Sequence, residues 1–421
     1  MMAMRPKVAL VGASGYGNHY ADMLLHRVDP ESYILEGVID PYAAKAPLYT
    51  EILARGIPIY DTLEQFYEKH TADLVLLVTP IRFHKSQAIT AMEHGSNVLC
   101  EKPLMTNIDE VEELRQVVAR TGRQMAVGFQ WSFSPSLLQI KRDILNGVFG
   151  KPVLFQNLTV FPRYDRYFNR NNWAGKVFDP SGALVLDSVA TNATAHYLHN
   201  IFFMLGDSIS TSAMPTSVKA SLYRVNPIET FDSCFMSGVF ESGCRFQYLT
   251  THCAVEDIQP VLRYTFENAV LTYDSNVPNS GITVTFKDGR VMQYDSPSRN
   301  TLSYDEKLKF MIDNVTENKP IPCGIDAVMP HMKVCDALFD TVEINAFPAE
   351  LIYRAPDPMA PQGSQAGGNF VKGLYQDMMR CMQENLLPDE LGLPWAKPST
   401  VIQLGEYQHF SGAKVGYHAK G

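Results

Sequence analysis

The chain has 421 residues, 46% of them apolar and 19% charged, which is too long for one core and ordinary for a folded protein of two domains. Its 36 basic and 45 acidic side chains give a net charge of −9, arguing against nucleic acid or an anionic membrane as a partner through bulk charge. No apolar stretch approaches the ~20 residues of a membrane span, the seven cysteines form no Cys-x-x-Cys pair, and a glycine-rich loop begins by Gly12, so a cytoplasmic protein with reduced thiols and no signal peptide is expected.

Residues 1–127 alternate short apolar runs (Val8–Val11, Tyr33–Ile39, Ile57–Tyr60, Leu74–Val78, Asn97–Cys100, Gln124–Val127) with helical patterns such as 83–94 and 107–121. Asn107 and Glu110 have capping-box spacing at the start of the latter. This alternation predicts a doubly wound parallel sheet. The loop Gly12-Ala13-Ser14-Gly15-Tyr16-Gly17 lies between the first strand and its helix. There, backbone N–H groups and a helix N-terminus can meet a pyrophosphate, which makes Gly12, Ser14, Gly15, Tyr16 and Gly17 candidate dinucleotide contacts. Ser14 stands where the usual pattern has its second glycine, and Gly15 is added.

Asp40 ends the second strand, placed to accept hydrogen bonds from ribose hydroxyls and to repel a 2′-phosphate. NAD is therefore expected, with NADP left open by the neighbouring Lys45; a turn residue before Pro41 is the less favoured account of Asp40. Thr79-Pro80 closes the fourth strand and can line the nicotinamide side of the cleft, with His84 following as a ligand contact or a packing residue. Glu101-Lys102-Pro103 ends the fifth. Ligands of open α/β sheets lie beyond the carboxyl ends of the strands, so Lys102 can reach a cofactor or a substrate resting on it.

After residue 127 the runs 153–161, 230–240, 244–253, 262–274 and 281–287 are longer and richer in aromatic and β-branched residues. Short turns at Glu241-Ser242-Gly243 and Asp288-Gly289 predict antiparallel hairpins, with helical patterns at 304–316 and 325–345 covering one face of the resulting sheet. The segment 161–173 mixes cations, aromatics and amides that suit a sugar. Arg163 or Arg166 can hold a carboxylate, and Tyr164, Arg170 and Trp173 are further candidate contacts; a solvated loop or dimer contact fits as well. Asn192, His196, His199 and Phe203 have spacings that put them on one helix face, with Leu198, Phe202 and Leu205 anchoring another. That face can be a structural cluster or an active site; no His-Glu-x-x-His pattern supports a metal. Residues 355–368, with three prolines and three glycines, read as a linker, and Phe370, Leu374, Met378 and Met382 mark a docking helix face beyond it.

Taken together, the glycine-rich loop, Asp40, Thr79-Pro80 with His84, Glu101-Lys102-Pro103 and the run Gly128–Pro135 resemble the glucose–fructose oxidoreductase / inositol dehydrogenase (Gfo/Idh/MocA) family over roughly residues 5–345. The resemblance implies a Rossmann domain and an α/β domain with a large open sheet. With the runs above, this divides the chain into a Rossmann domain (1–127), an α+β domain (128–354) whose sheet is mainly antiparallel, and, beyond the reach of the resemblance, a C-terminal extension (355–421) packing on the body. It implies a nicotinamide cofactor touching Glu101 and Lys102, a sugar-like or cyclitol substrate touching Gln130, and a homodimer or homotetramer formed through the open sheet face. Two positions depart from the pattern: Ser132 stands where many members have arginine, and Asn192 where an aspartate commonly precedes His196. An alternative register uses Asp187, with Thr191 at the histidine position.

The expected activity is hydride transfer between the cofactor and a secondary hydroxyl of a sugar, polyol or cyclitol derivative. His196 can act as general acid/base, and Lys102 can bind the same oxygen or, with its pKa lowered by burial and the nicotinamidium charge, compete as base. Asn192 and His199 would position the substrate. Redox-neutral glycoside processing on a retained cofactor, or ligand sensing without catalysis, are the alternatives.

Overall fold

The protein is described here by a computed structural model, in which residues 5–278, 280–297, 302–361 and 363–417 are placed. Contacts divide it into two units, one of Met1–Leu138, Ile209–Thr211 and Pro297–Val328, the other of Gln139–Ser208, Ser212–Ser296 and Met329–Gly421. The boundaries expected at 127 and 354 therefore change, chiefly because Pro297–Val328 joins the first unit.

In the first unit, β1 (Lys7–Val11), β2 (Ile34–Ile39), β3 (Ile59–Tyr60), β4 (Leu74–Leu77), β5 (Asn97–Cys100) and β6 (Met125–Val127) form a parallel sheet ordered β3-β2-β1-β4-β5-β6. Strands covered on both faces have no polar side, and Val8–Leu10 and Leu74–Leu77 are wholly buried. Chain order reverses between β1 and β4, which opens a crevice at the carboxyl ends of those strands. Asn107 caps its helix by accepting from the N–H groups of Asp109 and Glu110. The Glu110 carboxylate turns instead to Thr106, so the reciprocal half of the capping box does not form.

The helix Leu302–Glu317 was expected over the antiparallel sheet. It packs instead on β4, β5 and the turn Gln130–Phe133, burying Leu308, Met311 and Ile312 in the first unit. An apolar helix face specifies burial, not which sheet supplies it.

The second unit is built on a ten-stranded, mainly antiparallel sheet. Its strands are β7 (Pro152–Val160), β8 (Pro215–Arg224), β9 (Ser233–Phe240), β10 (Arg245–Thr251), β11 (Ile258–Phe266), β12 (Ala269–Asp274), β13 (Ile282–Phe286), β14 (Val291–Tyr294) and β15 (Ile344–Ala346), joined by a C-terminal strand. Both predicted hairpins form, β9–β10 and β13–β14. The run 262–274 is two strands turned at Glu267-Asn268, and β8 had no counterpart among the predicted runs.

The ends of the expected linker pair as strands β16 (Ile352–Pro356) and β17 (Gly367–Val371); Gln362 lies outside the described residues. Beyond them, the helix Leu374–Glu384 and residues up to Trp395 dock on the sheet, and β18 (Thr400–Gln403) pairs with β8. Leu374, Met378, Met382, Leu387, Leu393 and Trp395 cluster with Leu158, Val160, Tyr223, Phe235 and Leu249. Gln156 and Gln247 donate side-chain hydrogen bonds to carbonyls of Met382 and of Cys381 and Leu386. The sheet face expected to meet another subunit is thus covered along β7, β10, β9 and β8 by the chain's own C-terminal residues. The seven cysteines are buried and form no disulfide among the described residues, and no helix among those residues is long and apolar enough to cross a membrane.

Candidate functional site

The turn after β1 is shaped by contacts only glycine allows. Gly12 has φ +88°, and a Cβ there would lie 2.7 Å from the Val78 carbonyl oxygen at the end of β4. The N–H groups of Gly12 and Ala13 are taken by the Ile39 carbonyl and the Asp40 carboxylate. Those of Ser14 and Gly15 meet no protein acceptor among the described residues, and the space a Gly15 Cβ would enter is open. Free donors over open space at the crevice of a parallel sheet suit a pyrophosphate.

Asp40 differs from expectation in its engagement. Its Oδ2 accepts from Ala13 N–H at 2.9 Å and Ser14 Oγ at 3.2 Å, and its Oδ1 from Tyr42 N–H at 2.8 Å. The carboxylate braces the loop and keeps acceptor capacity on Oδ1. Lys45 lies 5.2 Å from the Tyr42 ring centre.

Lys102 stands partly buried beyond the carboxyl end of β5, and its peptide bond to Pro103 is cis. Its neighbour Glu101 is no ligand contact in this arrangement: the carboxylate is buried and accepts from Tyr20 Oη at 2.7 Å, Lys102 N–H at 3.1 Å and Lys307 Nζ. Burial alone would push the Glu101 carboxyl up. The Lys307 charge and the hydrogen bonds from Lys307 and Tyr20 outweigh it and hold the group below the usual carboxylate range. Lys307 is 0% exposed and lies 5.0 Å and 5.8 Å from the Tyr20 and Tyr16 ring centres, so it ties the glycine-rich turn to the end of β5. Gly128 leaves room for this pair; a Cβ there would sit 2.7 Å from the Glu101 carboxylate.

His84 is likewise internal. Its Nε2 lies 2.8 Å from the Thr79 carbonyl, and its Nδ1 3.1 Å and 3.2 Å from those of Pro103 and Leu104. It therefore ties the end of β4 to the loop after Lys102. Thr79 Oγ1 donates to Gln87, and Pro80 is exposed at the crevice. Gln130 is buried, with Oε1 lacking a hydrogen-bond partner.

In the second unit, the segment carrying Asn192 and His196 is not one α-helix. A π turn, Val189–Ala193, is capped by Ser188 and ends at Thr194, where the α-helix Ala195–Met204 begins. The change of winding takes Asn192 out of the α-helical register of His196. Asn192 donates to Asp187 Oδ1 at 2.6 Å, so the two candidates for the acidic position lie together. Asp187 also accepts from Gly175 N–H, and Leu186 before it has φ +52°, an unfavourable conformation for a branched side chain. His196 is partly accessible. His199 is wholly buried, stacked 5.8 Å from Phe203 and felt by the charges of His331 and Lys141, so it is a core residue, not a substrate contact.

The segment 161–173 folds against the end of β10. Arg163 lies 4.4 Å and Arg170 3.7 Å from the Tyr167 ring centre, with Trp173 5.2 Å from Arg170. Tyr164 packs edge-on against Phe370. His252, which sequence reasoning passed over, is buried beside Tyr167 and Phe168, with Nδ1 2.8 Å from the Phe161 carbonyl. Its only sequence signal was a histidine closing a β-run, which is too common to single out.

Burial lowers the pKa of His84 and His199 and brings that of His252 down to about 3. Each folded-state value then lies below that of the unfolded chain, which binds more protons once the pH drops below about 6.5. Stability should fall on acidification from about pH 7 to about pH 5.5, by up to about 1.4 kcal/mol per pH unit for each histidine. Urea midpoints measured across this range check it, and a midpoint that rises as the pH falls contradicts it.

Comparison with known proteins agrees with this geometry. Residues 6–129 match the model of the Gfo/Idh/MocA oxidoreductase family, NAD-binding Rossmann fold. The chain is 30% identical over 161 residues to scyllo-inositol 2-dehydrogenase (NAD(+)) of Bacillus subtilis, covering 38% of this chain and 45% of that one. It is 34% identical over 154 residues to inositol 2-dehydrogenase 4 of Saccharopolyspora erythraea, covering 35% and 43%. The chain thus spans less than half the length of these curated relatives. Myo-inositol 2-dehydrogenase of Lactobacillus plantarum shares its fold, with TM-score 0.62 and 18% identity over 79% of this chain and 96% of that one. The class defined here is that of proteins with an NAD-binding Rossmann domain and a large second-unit sheet. Residues 6–129 are similar to the Gfo/Idh/MocA oxidoreductases, whose family model they match.

Proposed function

We propose that the protein is an NAD(P)-dependent oxidoreductase acting between a nicotinamide and a secondary hydroxyl of a sugar, polyol or cyclitol derivative. The observation that carries this is the meeting, at the carboxyl edge of one parallel sheet, of the open Gly12–Gly17 turn and Lys102. The dehydrogenase names of the relatives point the same way.

Gly12, Ser14, Gly15, Tyr16 and Gly17 would hold the pyrophosphate, Asp40 the adenosine ribose, and Thr79 and Pro80 the nicotinamide side. When bound, the dinucleotide supplies the hydride acceptor. Lys102 would bind the substrate oxygen and stabilise its developing negative charge, while His196 is the candidate to take or give its proton. The Asp40 charge at the end of β2 favours NAD over its 2′-phosphorylated counterpart.

The test is absorbance at the NADH band across sugars, sugar acids and cyclitols, with NAD and NADP. Reduction of NAD by at least one secondary alcohol, faster than of NADP, is expected; no reduction with any member, although NADH binds, would contradict the proposal.

A further inference from the structure

We propose that Arg163 and Arg170 bind an oxyanion carried by the substrate, so that the molecule oxidised or reduced is an anionic sugar derivative and not a neutral polyol. This rests on the oxidoreductase reading above and names its substrate class.

The segment between Phe161 and Trp173 carries three arginines and one aspartate. The C-terminal hairpin consumes two of these four: Asp165 pairs with Arg354 in β16, and Arg166 Nε lies 2.7 Å from Asp357, just beyond it. Arg166, one of the two arginines expected to hold a carboxylate, is therefore committed within the protein. Among the described residues, Arg163 and Arg170 form no ion pair with a carboxylate.

Both guanidinium groups lie against the Tyr167 ring. Arg163 Nε is buried without a hydrogen-bond partner, and Arg170 Nη1 donates only to the Tyr167 carbonyl at 2.6 Å. The local carboxylate, Asp187, already accepts from Gly175 and Asn192. Their charge is felt inside: both arginines help to lower the pKa of the buried His252, which faces the same ring. In a chain of net charge −9, two guanidinium groups held against one ring, with no carboxylate partner among the described residues, can take an anion from outside.

The surroundings fit a sugar that bears one. Guanidinium groups take carboxylate or phosphate oxygens through charge-assisted hydrogen bonds, and the Tyr167 and Trp173 rings offer apolar faces to a pyranose or cyclitol ring. A carboxylate and a phosphate share this chemistry, and the measurement separates them.

Binding is measured by calorimetry on the full chain with NADH present, using glucuronate and glucose 6-phosphate against glucose and myo-inositol. At least one anionic probe should bind about 10-fold or more tighter than its neutral counterpart. Arg163→Gln and Arg170→Gln should each weaken that probe by roughly 10- to 100-fold. NADH affinity should stay within about two-fold, which also reports that the variants fold. Arg290→Gln, on a distant exposed turn, controls for net charge. Tighter binding of glucuronate assigns a carboxylate, and of glucose 6-phosphate a phosphate. Equal binding of charged and neutral probes, or anion binding indifferent to both substitutions, overturns the inference. Absence of NADH binding with anion binding intact would instead sink the oxidoreductase reading and leave the anion site standing.

Discussion

Replacing Lys307 by methionine is expected to lower the thermal midpoint of the first unit by about 10 °C. The cause is the carboxylate left behind. Glu101 is 6% exposed and Lys307 0% exposed; without the ammonium, a buried charge keeps only the Tyr20 hydroxyl and the Lys102 N–H. Breaking such a pair from one side costs roughly 3–5 kcal/mol, because the desolvation of the survivor is no longer offset. Removing both charges should cost less than removing one, so Lys307→Met with Glu101→Gln should recover part of the loss. Calorimetry or chemical denaturation of the three variants checks it. A single variant as stable as the parent would show that the pair contributes nothing. NADH affinity should fall with stability in Lys307→Met, since the same contacts tie the Gly12–Gly17 turn to the strand end that carries Lys102.

The second large effect is expected at Lys102. Lys102→Ala should lower kcat by roughly 10²- to 10⁴-fold, the usual range for losing a group that handles a proton or binds the reacting oxygen. NADH affinity should remain within several-fold of the parent, because the N–H groups proposed to hold the pyrophosphate lie in a different loop. Lys102→Arg keeps the charge but not the size or acidity of the ammonium, so partial recovery with an altered pH profile is expected. Steady-state kinetics with parallel NADH titration separates the two roles. Turnover within a few-fold of the parent would remove Lys102 from the chemistry.

The first unit was the legible part. Strands covered on both faces leave continuous apolar runs such as Leu74–Leu77, and the helices between them carry their own start signals, as Asn107 does. β8 escaped because Pro215-Thr216-Ser217 opens it and small polar residues interrupt its apolar positions. β11 and β12 fused because Glu267-Asn268 turns the chain without glycine or proline. The helix Leu302–Glu317 was recognised as a helix but assigned to the wrong sheet, since the chain order of elements does not say which layer each joins.

At the site, residue types were readable and their directions were not. Glu101, His84 and His199 look like ligand contacts in a string of letters. Their partners are Lys307, 206 residues away, backbone carbonyls of Thr79 and Leu104, and the Phe203 ring; only the last, four residues along the same helix, leaves a pattern in sequence, and that pattern does not say that the face is buried. The four-residue spacing of Asn192 and His196 assumed 3.6 residues per turn, and the π turn before Thr194 breaks that count. Arg163 and Arg170 could be separated from Arg166 only once the C-terminal hairpin was seen to claim the latter.

The most direct measurement follows a labelled hydrogen. Sugars and cyclitols, neutral and anionic, carrying deuterium on their carbinol carbons are incubated with the full chain and NAD, and the nicotinamide is analysed by mass spectrometry. One deuterium arriving on the reduced nicotinamide, and missing with Lys102→Ala, is the expected result. Consumption of a substrate with no label ever reaching the cofactor would mean that hydride transfer is not what this protein does.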